Sequence, residues 1–379
     1  MRLLERRFGP GVVRRLSEAR PRWRAAASPA LSTGSLGLDL ATGLGGYPRG
    51  QLTELFGPPS AGKTTLLYSA LAAAQRGGGL VALIDVPGVV DPEALAGCGV
   101  DLDALILCQP ADAVDALRAL VLLAESAALD VLALTSIAEL RRSLPPESVE
   151  HARGSSGPAL ALARLLSRSL RRLIRALRDA PTAVVMTNER LPGVLGGRDN
   201  RSVGGLALRH FAALRVAVEP AGAPVAGPGA RWACARRMPA RLSVVKHKLG
   251  APGGTADVEL VYGRGVDDAG ELLALGLARG VIERCGLGLV FGREPLGKSE
   301  ERARRRLRED RDLTVVLTAA IVAADRRSAA NQETVVGARA PRVQRPIAAC
   351  PQPGGSLAGT SKSSLPCQER DPASHRRGI

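Results

Sequence analysis

One stretch constrains this chain more than any other: Gly57-Pro58-Pro59-Ser60-Ala61-Gly62-Lys63-Thr64-Thr65, which fits the pattern G-x-x-x-x-G-K-[ST]. Leu52 to Phe56, just before it, is a compact apolar run that reads as a buried strand. Thr64 to Arg76, just after it, repeats apolar residues on successive helical turns. A glycine loop between a strand and a helix can curl its backbone so that several N–H groups and the helix N-terminus face negative charge. The pattern therefore predicts a triphosphate cradle from Gly57 to Thr65. Lys63 is expected to reach the β- and γ-phosphates, and the Thr64 hydroxyl to ligate Mg²⁺.

The rest of the chain alternates in the same manner. Leu80 to Ile84, Val131 to Leu134 and Ala183 to Met186 read as strands, and Ala111 to Ala127 and Pro158 to Arg178 as helices. Alternation of this kind predicts an α/β fold, a mostly parallel sheet covered by helices on both faces. The proline- and glycine-rich stretch Pro220 to Gly229 predicts a surface hairpin or loop, with further strands at Leu242 to Val245 and Val258 to Tyr262. Four regions are expected: a short basic helix and linker over 1–30, a core over 31–268, a small domain over 269–325, and a disordered basic tail over 326–379.

The formal charge is +16, mostly from arginine, which favours a polyanionic partner. A drift in composition toward Ala, Arg, Gly, Leu and Pro accounts for it equally well. The six cysteines are scattered without a C-x-x-C pair, which argues against zinc; free thiols in a reducing cytoplasm are expected. The longest apolar region, Ala113 to Leu134, is broken by Asp115, Arg118, Glu125 and Asp130, so no membrane span is expected.

Around the loop, Ser32-Thr33-Gly34-Ser35-Leu36-Gly37-Leu38-Asp39 and Gly45-Gly46-Tyr47-Pro48-Arg49-Gly50 resemble the bacterial RecA recombinase family. Ile84-Asp85, Asp91-Pro92, Gly99-Val100-Asp101, Gln109-Pro110, Val244-Val245-Lys246-His247-Lys248, Tyr262-Gly263 and Gly270-Glu271-Leu272 continue the similarity in order, over about residues 4 to 310. The resemblance implies a RecA-like P-loop core with a small C-terminal α/β domain. It also implies ATP and Mg²⁺ as cofactors, and homo-oligomers or filaments on single-stranded DNA with ATP between subunits. Asp91 and Tyr262 match residues that hold the adenine. Lys246 and Lys248 match a pair that reaches across the subunit interface to the γ-phosphate. Taken alone, they are two exposed lysines beside a strand end.

The pattern fails at four places. Pro87 stands where the family has the glutamate that orients the attacking water, and Thr135 where it has the second carboxylate. Asn188 replaces a glutamine that senses the γ-phosphate, and Ala94 an aromatic that stacks on adenine. Loss of a general base typically slows a reaction by about 10²- to 10⁴-fold. Binding without efficient hydrolysis is therefore expected, with Asp85 or Asp91 the nearest substitute bases.

For DNA, aromatics make up only 2% of the chain, so stacking is not the main term. Arg164, Arg168, Arg171, Arg175 and Arg178 recur at three- and four-residue spacing along one side of a helix. That pattern alone is a solvated helix face. The resemblance matches Arg164 and Arg171 to DNA-backbone contacts and Gly193 to Gly205 to a DNA-binding loop. Arg198, Arg201, Gly204 and Gly205 lie in that loop, Arg190 lies just before it, and Gly196 replaces its aromatic wedge. The expected role is ATP-dependent single-stranded-DNA binding in recombination, repair and the response to DNA damage. The alternative is a non-hydrolysing, nucleotide-switched adaptor similar to RecA-like accessory factors of damage-induced mutagenesis, with repair or mutagenesis proteins as partners. A decaying paralogue with little activity stays open as a third reading.

Overall fold

The computed structural model describes residues 2–10, 30–146, 157–190, 202–223, 225–226, 236–286 and 288–339. In chain order the elements begin with α1 (Arg2–Phe8), β1 (Ala30–Leu31), α2 (Leu36–Thr42), β2 (Tyr47–Pro48), β3 (Leu52–Gly57) and α3 (Lys63–Arg76). Then come β4 (Val81–Asp85), α4 (Pro92–Gly97), β5 (Leu105–Cys108), α5 (Ala113–Glu125), β6 (Val131–Thr135), α6 (Ile137–Arg142) and α7 (Gly157–Ala176). Next are β7 (Ala183–Glu189), α8 (Leu206–Phe211), β8 (Leu214–Pro220), β9 (Val225–Ala226), β10 (Arg236–His247), β11 (Thr255–Val261) and β12 (Gly265–Val266). The last are α9 (Asp268–Ala278), β13 (Ile282–Cys285), β14 (Gly288–Phe291), β15 (Glu294–Gly297), α10 (Glu300–Glu309) and α11 (Arg311–Arg339).

One large sheet runs β12-β11-β10-β8-β3-β7-β6-β4-β5, with β9 beside β10. From β8 to β5 the strands are parallel, and from β8 outward through β10, β11 and β12 they pair antiparallel. The α/β class and the mostly parallel sheet follow from the alternation seen in the sequence. On the antiparallel flank, β10, β11 and β12 follow one another with no helix among the described residues between them, as antiparallel neighbours joined by short returns can.

Strand alternation divides the core in two. Leu55, Leu83, Ala133 and Val185 point to the α3 side, where they meet Leu67, Ala70 and Leu71. Leu52, Ile84, Leu132, Leu134 and Met186 point to the other side, against Leu117 and Leu120 of α5 and Leu162, Leu166 and Leu170 of α7. The strand ends nearest the glycine loop thus face either α3 or α7 according to residue parity. This parity fixes what each functional side chain can reach.

A third cluster, including Leu272, Leu273, Ile282, Leu289, Leu307 and Leu317, organises the three-stranded sheet β13-β14-β15 with α9, α10 and α11. It is tied to the core through buried polar contacts. Glu271 accepts hydrogen bonds from Ser35 Oγ at 2.6 Å, Leu36 N at 2.8 Å and Gly37 N at 3.0 Å, at the start of α2. Asp267 accepts from Arg304 at 2.8 Å and Arg308 at 2.7 Å. α11 continues to Arg339, past the point near Arg326 where the sequence reading starts a structureless tail. Ala329, Ala330, Gln332 and Glu333 keep helix propensity there without an apolar period to reveal it. Residues 340–379 lie outside the described set.

Candidate nucleotide and nucleic-acid site

The loop starts where β3 ends. Gly57 has no room for a side chain, because a Cβ there would lie 2.1 Å from the Val218 carbonyl oxygen. Gly62, at φ 86°, turns the chain into α3 in a left-handed conformation that favours glycine. Pro59, Ser60 and Thr64 are exposed at the loop tip, whereas Ala61 and Lys63 are buried. Lys63 Nζ donates to Gly57 O at 3.2 Å and Pro58 O at 2.7 Å, so it lies folded over its own loop. Burial lowers its pKa, and the negative charge of Glu189 acts in the opposite direction.

Mg²⁺ usually takes only one or two protein oxygens and completes its shell with phosphates and water. The Thr64 hydroxyl, exposed at the first turn of α3, fits that donor set. No cluster of three or more His, Cys, Asp or Glu that could hold a metal occurs among the described residues.

The two adenine candidates come together. Tyr262 is exposed, and its hydroxyl lies 3.5 Å from Asp91 Oδ2. Asp91 also caps α4 by accepting from Glu93 N at 3.0 Å and Ala94 N at 3.1 Å. Ala94 is buried in the core below α4 and offers no ring to stack on a base.

Asp85 and Thr135 are register partners on β4 and β6, both on the α3 side. Asp85 is buried and accepts from Val90 N at 3.0 Å, Gln109 Nε2 at 3.1 Å and Thr135 Oγ1 at 3.5 Å. Asp85 and Asp91, the nearest substitute bases in the sequence, thus both hold local structure through the hydrogen bonds they accept. Pro87 is exposed after β4.

Asn188 points to the opposite face. Its Nδ2 donates to Glu54 Oε1 at 2.7 Å and to Val203 O at 2.8 Å. Glu54 is fully buried, accepts from Ser202 Oγ at 2.6 Å, and forms an ion pair with Arg215. Sequence reasoning missed this network. A lone glutamate inside the apolar run 52–56 was its one visible sign.

The predicted DNA surface starts at the same strand end. Arg190 forms a bridge to Ser202, and Val203 N donates to Glu189 O at 3.1 Å, so β7 gathers both ends of the segment 191–201. That segment, with Gly196, Arg198 and Arg201, lies outside the described residues. Gly204, at φ 90°, packs so closely on α7 that a Cβ would lie 2.6 Å from Leu166 Cδ1; Gly205 follows at φ 70°. Arg164, Arg168, Arg171, Arg172, Arg175 and Arg178 are all exposed, while Leu162, Leu166, Leu170 and Leu173 are buried. Leu160, Ala163, Arg164, Ser167, Arg168 and Arg171 line an open depression on α7. Arg190, by contrast, pairs with Glu219 at 2.6 Å, and its guanidinium lies 5.6 Å from the Phe56 ring centroid. It is held by the core rather than offered to a ligand.

Lys246 and Lys248 lie together at the far end of α8. Lys246 donates to Arg209 O and His210 O, and Lys248 to His210 O at 2.7 Å and Phe211 O. Partial burial, followed by the neighbouring Lys248 and Arg215 charges, pulls the Lys246 pKa down to about 8.

The RecA N-terminal domain family matches residues 1–267. The chain belongs to the RecA family. It is 37% identical over 324 residues to Protein RecA of Thermus aquaticus, a match covering 85% of this chain and 92% of that one. It is 36% identical over 324 residues to Protein RecA of Thermus thermophilus, with the same coverage. It is 37% identical over 309 residues to Protein RecA of Rubrobacter xylanophilus, covering 81% of this chain and 86% of the relative. RecA family membership accounts for the order of motifs along the chain.

Proposed function

We propose that this RecA-family protein binds ATP with Mg²⁺ on its Gly57–Thr65 loop and, in that state, assembles on single-stranded DNA in recombination and repair in the cytoplasm. One observation carries the reading. The strand that adjoins the phosphate loop, β7, runs into Arg190, which bridges Ser202, and Gly204 just beyond packs on the arginine helix α7. A triphosphate on the loop and a phosphodiester on α7 would therefore bias the same strand end. Lys246 and Lys248, at the end of β10, support a role for a second copy of the chain: a neighbour's γ-phosphate would draw them away from the α8 carbonyls.

Arginine contacts to phosphate make single-strand binding fall by about 0.7 logarithmic units per neutralised phosphate for each tenfold rise in salt. Arg164→Ala and Arg171→Ala together should lower that slope by about one to two phosphates' worth and weaken all sequences alike. Fluorescence anisotropy with a labelled oligonucleotide across a salt series measures this. An unchanged slope would remove α7 from the interface.

Hydrolysis is slow in this reading. Pro87 carries no proton acceptor, and Asp85 and Asp91 are occupied. Steady-state ATP turnover with single-stranded DNA should lie about 10²- to 10⁴-fold below that of a relative with an intact base. Rapid, DNA-stimulated turnover that Lys63→Ala abolishes would contradict it. The same missing base favours a second reading, an ATP-switched adaptor that recruits repair or mutagenesis proteins without a motor cycle. Electron microscopy with ATP and single-stranded DNA separates the two, since regular filaments support the first and isolated particles the second.

A further inference from the structure

Thr135 leaves the nucleotide site without the carboxylate that would normally oppose the charge of a bound cation through its water shell. The neighbouring strand carries a carboxylate that no family motif supplies. Glu189 is the last residue of β7 and the register partner of Gly57, the first residue of the phosphate loop. The junction is closed by Arg190 N donating to Gly57 O at 3.0 Å.

Residue parity fixes where the side chain goes. Val185 packs in the cluster below α3, while Met186 belongs to the α7 side and Asn188 turns there to meet Glu54. Glu189, four residues beyond Val185, projects on the α3 side, over the start of the helix that Lys63 opens. It is half-buried, and its carboxylate makes no hydrogen bond or ion pair with any described residue. In the strand order β3-β7-β6-β4 it stands between the loop and Thr135.

We infer that Glu189 is the carboxylate of this nucleotide site: it supplies, from β7, the negative charge toward Mg²⁺ that Thr135 does not supply from β6. The inference rests on the reading of Gly57–Thr65 as a Mg·ATP cradle. The influence of Glu189 on Lys63 agrees with it, since it places the carboxylate charge within electrostatic range of the phosphate position. A carboxylate so placed repels bare ATP and favours the magnesium complex, so it ties affinity to the metal. It is a positioning residue, and it leaves the missing base at Pro87 unreplaced, in keeping with slow turnover.

The test is ATP affinity by calorimetry, with Mg²⁺ and with excess EDTA, for the full chain and for Glu189→Gln. The neutral isostere should bind bare ATP several-fold more tightly and Mg·ATP no more tightly. The factor by which Mg²⁺ improves affinity should then drop about tenfold, the effect of one nearby charge at intermediate dielectric. Glu189→Asp, which retains the charge, should keep that factor within a few-fold, and it serves as the test if the glutamine variant does not fold. Equal tightening with and without Mg²⁺ would make Glu189 only a competitor for Lys63 and overturn the inference, as would an unchanged factor. If the unaltered chain took up no Mg·ATP at all, the cradle itself would be wrong, a result distinct from either.

Discussion

Arg215→Met should lower the unfolding free energy by about 3–5 kcal/mol, the usual cost of leaving one member of a buried ion pair without the other. Arg215 and Glu54 are 3% and 0% exposed, and they form their pair between β8 and β3 at the centre of the sheet. The guanidinium also lies over Phe56, 4.3 Å from the ring centroid, so the loss includes a cation–π contact. Methionine fills much of the volume but brings no charge. Asn188 and Ser202 still donate to Glu54 and recover part of the loss. Urea denaturation followed by circular dichroism measures the change. The double variant Glu54→Leu with Arg215→Met should regain part of the stability, because an apolar pair of similar volume avoids the desolvation cost of two ions but leaves the buried Ser202 hydroxyl without its acceptor. A loss under about 1 kcal/mol for Arg215→Met would show that the pair carries little of the fold.

That pair is more than a structural brace. Glu54 also holds Asn188, which reaches Val203, and Ser202, the residue bridged to Arg190. The position corresponding to the family's γ-phosphate sensor is therefore anchored from behind by a charge network, one methylene shorter than the family's glutamine. An asparagine with its amide committed on that side is poorly placed to reach around the strand end to a phosphate. In the proposed reading, this arrangement would weaken the coupling between nucleotide state and DNA binding. The double variant would loosen that coupling even where it restores stability, so stability and nucleotide-dependent DNA affinity should separate.

Much of this architecture was legible in the residues. The loop announced itself because its chemistry needs glycine, lysine and threonine at fixed spacing next to a strand and a helix. The parallel half of the sheet followed from runs such as Leu80 to Ile84 and Val131 to Leu134, which lie in β4 and β6. The strand β10 was only partly visible: Leu242 to Val245 stands out, but Arg236, Arg237, Pro239 and Arg241 disguise its first half. Two of those arginines find carboxylates across the hairpin, Arg241 with Asp257 at 2.7 Å and Arg237 with Glu259 at 3.0 Å, and such cross-strand partners are not adjacent in sequence.

Site residues show the same division. Motif residues with a local job were readable, as with Asp39, which accepts from Ser32 Oγ at 2.7 Å and Thr33 N at 2.8 Å ahead of α2. Residues whose meaning depends on which strands are neighbours were not. Glu189 looks like an ordinary charge at the end of a strand until β7 is placed between β3 and β6. Arg190 looks like a free cation until Glu219 is found on β8, two strands away across β3.

Lys63→Ala should weaken ATP binding by roughly ten- to a hundred-and-fifty-fold, since hydrogen bonds to charged groups contribute about 1.5–3 kcal/mol. The fold should barely notice. Lys63 is buried with its ammonium turned onto Gly57 O and Pro58 O, and burial works against its charge, so its removal relieves a desolvation cost while forfeiting two contacts. Gly57 O keeps a donor in Arg190 N, so that carbonyl is not stranded. The unliganded variant should therefore melt close to the parent, within about the ±1 kcal/mol typical of balanced changes. A ligand present at a hundred times its Kd stabilises by about 2.7 kcal/mol. At an ATP concentration chosen so for the parent, the variant at a hundredfold weaker affinity would gain only about 0.4 kcal/mol. Thermal scans with and without Mg·ATP make the comparison directly, because the upward shift seen for the parent should fall to about half or less while the unliganded midpoints agree. Should the variant keep the full ATP-dependent shift, the triphosphate would be bound elsewhere, and the link from this loop through β7 to the arginine helix would have no ligand to act on.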